Sequence, residues 1–531
     1  IIQNATENIS EKEDLISQKN LIIKNATENI SEKEDLISQK NLIIKTNEEL
    51  IYSLYESYSW KITKPIRWIH AHLIATYNVF FRSNYIIKFK TLVRKDFINK
   101  VIWYTVKTIY HFIPLPMKTK ENVKQKLFSK FYKFFNVISG SEILYIEDNE
   151  AIFQQELIKK NLKKRIKYVP WRENKTIKDI PVKILAFYLP QFYTIPENDR
   201  WWGKGFTEWT NVKPAQPQFK GHYQPHIPGE LGYYNLLDPK IQQRQVKLAK
   251  NYGIGGFVFH FYWFSGKQLL EKPIENYLMN QQLDLPFCIS WANENWTRSW
   301  DGRKNDILIK QKHSKECNLA FIKHVSKFMH DKRYIRINNK PLLIIYRPSL
   351  LPYAREAAEV WRKWCRQNGI GEIYLAYVQS FERIDPDEYG FDAAIEFPPN
   401  NFYPQKISHL VEPIDKNFKC NIYDWKTLVK QSEQYAMPDY KLFRGVCPSW
   451  DNTARRKNES YIFINNHPDD FRKWVYNASL DTCNRFENPD ERLVFVNAWN
   501  EWAEGAYLEP DERYGYFYLQ NIYDVLQKLA I

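Results

Sequence analysis

The chain has little cysteine and no long apolar run. No stretch of 18 apolar residues occurs among its 531 residues, so no membrane-spanning helix is legible. The six cysteines are Cys288, Cys317, Cys365, Cys420, Cys447 and Cys483. No two have the spacing of metal ligands or of a redox pair, and such scattered thiols fit a reducing compartment. No glycine-rich phosphate loop is present, which removes the usual nucleotide cradle. No recognised nucleic-acid-binding motif is present either, and nucleic acid is not expected as a partner. The first residue is Ile rather than Met, which reads as a fragment whose true start lies elsewhere.

Aromatic residues, by contrast, are plentiful: they make up 16% of the chain, with 18 Trp and 35 Tyr. Flat rings suit surfaces that stack on sugars or lie at membrane interfaces. The net charge of +15 is uneven. Residues 1–60 carry six basic against 11 acidic residues, and residues 61–180 carry 25 against nine. The basic character therefore belongs to one segment.

Three regions follow. Residues 4–24, NATENISEKEDLISQKNLIIK, recur unchanged at 25–45. The 21-residue period is three heptads, with Ile at every seventh position from Ile2 to Ile51. The second seam, Ala5, Lys12, Lys19, is poor. Residues 1–58 read as a coiled-coil stalk and a route to a homo-oligomer, with the strand number left open. Residues 59–182 are a basic, aromatic-rich, mostly helical segment that begins SWKITKPIRW and ends in a linker from 171. Basic amphipathic helices of this kind lie on anionic membrane surfaces, and a small helical domain with a solvated basic face is the competing reading. Residues 183–531 form the third region.

In that third region short apolar runs alternate with helical patterns. The runs are Ile184–Leu189, Gly256–Phe261, Pro286–Trp291, Leu342–Tyr346, Ile373–Val378, Phe391–Glu396, Leu442–Pro448 and Leu493–Ala498. Helices are expected between them, including Pro239–Asn251, Leu319–Lys332 and Ala354–Asn368. Eight strands with helical crossovers predict a (β/α)8 TIM barrel, an α/β fold whose chemistry gathers at the C-terminal ends of the strands. The stretches Gln191–Glu230 and Glu396–Tyr440 are the long loops of such a barrel.

The chemistry concentrates in LVFVNAWNEWAEGAYLE, residues 493–509. A buried strand runs straight into Asn500, Glu501, Trp502 and Glu504, and Gly505 ends the run. Glutamates three residues apart share a face in a helical turn, and paired carboxyls divide into acid and base. Glu501 with Glu504 is one catalytic pair, and Glu294 with Glu501 is another. The remaining strand ends offer Tyr188, Gln191, His260, Tyr262, Trp263, Trp291, Asn293, Trp296, Tyr346, Gln379, Glu396 and Trp450. With Trp209, Glu294, Asn500 and Trp502 these are the expected substrate-binding residues. Indoles that stack and amides or carboxylates that grip hydroxyls point to carbohydrate, and glycosidic chemistry commonly uses two carboxyl groups.

Five motifs carry a resemblance: LAFYLPQFYTIPENDRWWGKGFTEWTNV, YQPHIPGELGYYNL, YGIGGFVFHFYWF, LPFCISWANENWTRSWDG and NAWNEWAEGAYLEPD. Together they resemble the WbsX-type glycosyltransferases of bacterial surface-polysaccharide synthesis, a family related to the endo-α-mannosidases of glycoside hydrolase family 99. The resemblance implies Glu501 as the base that takes a sugar 2-hydroxyl proton and Glu504 as the general acid on the leaving oxygen. It implies an epoxide-like sugar intermediate, no cofactor and no metal. Its substrate is a glycan or lipid-linked oligosaccharide, at a cytoplasmic site peripheral to the inner membrane. The Asp-x-Asp spacing common in nucleotide-sugar transferases occurs at Asp385-Pro386-Asp387, between strands five and six. Synthesis, hydrolysis of the endo-α-mannosidase kind and non-catalytic glycan binding are the three readings carried forward.

Overall fold

A computed structural model describes residues 168–298, 303–402 and 404–530. The coiled-coil stalk and nearly all of the basic segment lie outside the described residues.

Eight parallel strands close on themselves. They are β1 (Lys183–Tyr188), β2 (Ile254–Phe264), β3 (Phe287–Trp291), β4 (Lys340–Ile345), β5 (Tyr374–Gln379), β6 (Ala393–Glu396), β7 (Leu442–Val446) and β8 (Leu493–Val496). Each pairs with the next in sequence, and β1 pairs with both β2 and β8, which shuts the barrel. The closing register sets Lys183 opposite Leu493 and Ala186 opposite Val496. All eight strands fall where the apolar runs place them. Strands covered on both faces read as unbroken apolar runs, and β8, LVFV, is buried throughout. Gly445 in β7 is required by packing, since a Cβ there would overlap the Glu396 carbonyl.

The crossovers are α1 (Pro239–Asn251), α2 (Lys272–Met279), α3 (Lys315–Met329), α4 (Ala354–Gln367), α5 (Trp425–Gln431) and α6 (Pro468–Arg485), and α7 (Phe517–Leu529) follows β8. α1 has the predicted limits because Asp238 caps it, accepting from the Lys240 N–H at 3.0 Å, with Pro239 at its first position. α3 begins four residues before its predicted start because Ser314 caps it, accepting from the Cys317 N–H at 3.2 Å. Between β5 and β6 a 3-10 turn, Pro386–Tyr389, is the only helical element assigned. Asp385 caps that turn and Asp387 pairs with Arg355, so the Asp-x-Asp spacing is used within the crossover.

Residues 168–182 run along the barrel. Val169 pairs beside Gly515, and Lys175 accepts from the Tyr523 hydroxyl at 3.0 Å. The two long loops, after β1 and after β6, meet at a bridge between Phe219 and Pro413, and with Ile462 and Ile464 from the stretch after β7 they form a satellite core of Phe219, Leu410, Val411, Cys420 and Ile422. Among the described residues no helix is long and apolar enough to cross a membrane.

Candidate active site

The chain that follows β8 folds into a tight hairpin. Asn500–Glu501 pairs with Ala506–Tyr507, and a 3-10 turn, Trp502–Glu504, joins them. Gly505 closes the turn at φ +61°, and a Cβ there would meet the Asp451 backbone N at 3.0 Å, so a side chain would be both strained and crowded. The hairpin is fastened on two sides. Asn500 accepts from the Leu189 N–H at 2.8 Å and donates to the Leu189 carbonyl at 3.0 Å, which locks it to the end of β1. The Asp451 N–H donates to the Glu504 carbonyl at 2.7 Å, which locks it to the end of β7.

Beneath the hairpin lies a buried carboxyl, Glu509, only 1% exposed. It accepts from Trp502 Nε1 at 2.7 Å, Gln245 Nε2 at 2.7 Å, Trp499 Nε1 at 3.0 Å and the Tyr234 hydroxyl at 3.0 Å. Burial pushes it up to about 7, and these four neutral donors hold it back from rising further.

Three carboxylates converge on one guanidinium. Arg455 lies on a short helix, Thr453–Arg456, that follows β7. It donates to Glu501 Oε2 at 2.8 Å, to Glu504 Oε1 at 2.5 Å and to Glu208 Oε1 at 2.6 Å. Glu208 comes from the loop after β1 and is fully buried. Asp451 orients the short helix by accepting from the Thr453 N–H at 3.0 Å, and Asp451 is itself held by His222 at 2.6 Å and Gln224 at 2.7 Å. Burial, reinforced by the charges of Glu504 and Glu208, pushes Glu501 up to about 8, against the pull of Arg455. Burial raises Glu208 as well. One cation thus faces three carboxyls, and burial holds Glu501 and Glu208 above the ordinary carboxylate range.

His260, from β2, stacks on Phe187 at 5.6 Å, and burial lowers it to about 4 with help from the Arg455 charge. It is a neutral imidazole, able to both donate and accept. Burial also raises the phenols of Tyr262 and Tyr346, with Glu501 adding to both, so they remain protonated donors near the carboxylates. Tyr262 stacks on Trp296 at 5.2 Å and 5°, and Trp201 meets the same indole edge-on at 5.5 Å. This makes an aromatic wall on the rim.

The expected substrate-binding residues divide. His260, Tyr262, Glu294, Trp296 and Tyr346 keep exposure at the mouth, and Glu294 is ion-paired to Arg347 at 2.8 Å rather than joined to Glu501. Others are buried or bonded within the fold. Tyr188 is buried and donates to Gln245, and Gln191 is buried with its carbonyl accepting from the Glu208 N–H. Trp209 packs against Phe192, Tyr234 and Trp502, and Trp502 stacks on Tyr507 at 3.8 Å. Trp291 stacks on Phe321 at 4.1 Å, and Trp263 is buried with its carbonyl taken by Trp291 and Gln311. Asn293 ties β3 to β4 through both backbone groups of Arg347. Glu396 pairs with Arg444, Gln379 donates to Tyr440, and Asn500 spends its amide on Leu189 and Tyr234. Strand-end position places a residue near the rim, but the two-residue alternation of a strand decides which way it points. Arg455 and Glu208 are absent from the sequence-based set. Glu208 stands in the GFTEWTNV motif, while Arg455 lies in DNTARRK, which carries no signal of its own.

Residues 184–522 match the family model described as glycosyltransferase WbsX. The chain belongs to that family. The match makes this barrel the domain of a glycan-acting enzyme. Two uncharacterized proteins named WxcX, from two strains of Xanthomonas campestris pv. campestris, are each 49% identical over 356 residues, 67% of this chain and 51% of theirs. The chain therefore spans about half the length of the curated relatives it matches. Among solved structures, a glycoside hydrolase-like protein aligns at 14% identity and a TM-score of 0.41, over 68% of this chain and 97% of that one. The GH99 endo-alpha-mannosidase from Bacteroides thetaiotaomicron aligns at 15% and 0.38, over 65% and 96%.

Proposed function

We propose that the WbsX-family barrel forms or remodels glycosidic bonds in bacterial cell-surface polysaccharide synthesis, of the O-antigen or capsule kind, with Glu501 as base and Glu504 as acid. The observation that carries the reading is the cluster of Glu501, Glu504 and Glu208 around Arg455 at the C-terminal mouth of the barrel. Paired carboxyls around one cation, beside a neutral histidine and an aromatic wall, suit sugar transfer.

In the first step ionised Glu501 takes the proton of the donor 2-hydroxyl. That oxygen closes on the anomeric carbon, and the proton of Glu504 passes to the departing oxygen. In the second step an acceptor hydroxyl gives its proton to Glu504 and opens the strained ring, and Glu501 returns a proton to the 2-oxygen. Arg455 serves as counter-charge to both carboxylates, and Glu208 fixes Arg455. His260 and Tyr262 are placed to hold sugar hydroxyls. The substrate is a glycan or lipid-linked oligosaccharide, and the basic segment and stalk would hold the enzyme at the inner membrane as an oligomer.

A hydrolase is the second reading, favoured by the same carboxylates, since water can replace the acceptor hydroxyl without any change of residue. The test offers the full chain lipid-linked or nucleotide-activated donors with acceptor glycans, and separately α-mannan oligosaccharides alone. Acceptor mass gain that requires Glu501 supports transfer. Cleavage without a donor, lost in Glu501→Gln, supports hydrolysis. No turnover in either arm, with glycan binding unchanged in both Glu501→Gln and Glu504→Gln, would leave only a glycan-binding scaffold.

A further inference from the structure

A cavity of about 240 Å³ opens on the flank where the two long loops meet, and none of Glu208, Arg455, Glu501, Glu504 or His260 lines it. It lies behind the end of β7 and is walled by Trp450 and Asp451. Asp451 donates its N–H to the Glu504 carbonyl, so the cavity and the carboxylate cluster stand back to back across one backbone segment.

Its lining is amphipathic. Tyr223, Trp450 and Tyr514 offer aromatic carbon, and Asn465 and Asn466 offer amides. Arg513 lies over the Tyr223 ring at 4.3 Å and over the Tyr514 ring at 5.0 Å. The space exceeds the ~30 Å³ share of one water. It falls just short of the roughly 300–1,000 Å³ of drug-sized ligand sites.

The charge of the lining narrows the class. Lys426, Arg513, His222, His226 and His467 share the lining with Asp451, Asp469 and Asp470. Asp451 is committed to His222 and Gln224, and Asp469 pairs with Arg472 at 3.0 Å. A phosphate or uronate would be set among three carboxylates, whereas a neutral polyol meets donors, acceptors and ring faces together. We propose that this cavity is a second carbohydrate-binding site that takes one neutral hexose unit, held against the Tyr223 and Arg513 side chains and the Asn466 amide. The proposal rests on the reading that the chain handles glycans, and it adds a site remote from the reacting carboxylates.

The experiment is hydrogen exchange on the full chain with methyl α-mannopyranoside and methyl β-galactopyranoside, against glucuronate and pyrophosphate. The expected result is slowed exchange at 221–226 and 462–470 with at least one neutral hexoside. It persists in Glu501→Gln, weakens at least tenfold in Arg513→Gln and vanishes in Asn466→Trp, which fills the space. Unchanged melting temperatures show that both variants fold. Protection confined to the 500–508 hairpin, protection by the anions instead, or full protection in both cavity variants overturns it. Turnover lost in Glu501→Gln without any flank protection defeats this site alone. Flank protection in a chain whose Glu501→Gln variant retains full turnover defeats the catalytic reading alone and supports this site.

Discussion

Arg455 donates to Glu501 across 2.8 Å, joining the segment after β7 to the hairpin after β8. The same guanidinium also reaches Glu504 and Glu208, so the charge of the whole cluster depends on one side chain. The chemistry proposed for this chain depends on which carboxyl around that cation keeps a proton.

Glu501→Gln and Glu504→Gln should each lower kcat/KM by about 10²–10⁴-fold, the usual worth of a positioned acid or base. A donor with a highly acidic leaving group should recover much of the loss in Glu504→Gln and none in Glu501→Gln. Steady-state kinetics on paired donors tests this, and equal recovery in both variants would remove the division of roles.

The pH profile tests the roles directly. Glu501 is pushed up to about 8 by burial, so its ionised form appears only as pH approaches that value. If it is the base, kcat/KM rises toward an apparent value near 8. A rate that falls above 8 would instead make Glu501 the acid and reverse the assignment. Stability carries the opposite sign. The carboxyl holds its proton in the folded chain up to about 8 but releases it near the ordinary 4.5 when unfolded. Its contribution is therefore full below 4.5 and is lost as pH rises through 8. Glu501→Gln should melt progressively higher than the parent between pH 5 and 8.5, by about 2–4 °C for each kcal/mol recovered.

Arg455→Met should cost about 3–5 kcal/mol at neutral pH, because it strands three half-buried or buried carboxyls without their cation. The loss should shrink as pH falls and the carboxyls protonate. Chemical denaturation at pH 5 and pH 8 measures it, and a loss independent of pH would show that Arg455 acts by packing alone.

Glu509→Gln places an amide N–H₂ where one carboxylate oxygen now accepts two hydrogen bonds. Either pair of donors, Trp499 with Gln245 or Trp502 with Tyr234, is then left unsatisfied. The expected cost is about 1–3 kcal/mol per stranded donor. Activity should fall with stability, since Trp502 begins the turn that carries Glu504. A neutral effect on melting would mean that the hairpin holds without this clamp.

The barrel was legible because parallel strands covered on both faces write themselves as apolar runs, and all eight runs became strands. The closeness of Glu501 to Glu504 was legible because the hairpin is short and local. Arg455 and Glu208 were not, because they reach the cluster from loops about 46 and 290 residues away in sequence, and no local pattern records such a contact. The strand-end tryptophans are ambiguous in sequence for another reason. An indole that packs against Glu509 or Phe321 looks, in sequence, the same as one that faces a sugar.

The most direct measurement is mass spectrometry of acceptor glycans incubated with the full chain and activated sugar donors, beside the Glu501→Gln variant. The account predicts a gain of one sugar mass on the acceptor with the parent chain and none with the variant. An unchanged gain with the variant would contradict it, because the carboxylate cluster would then have no part in bond formation.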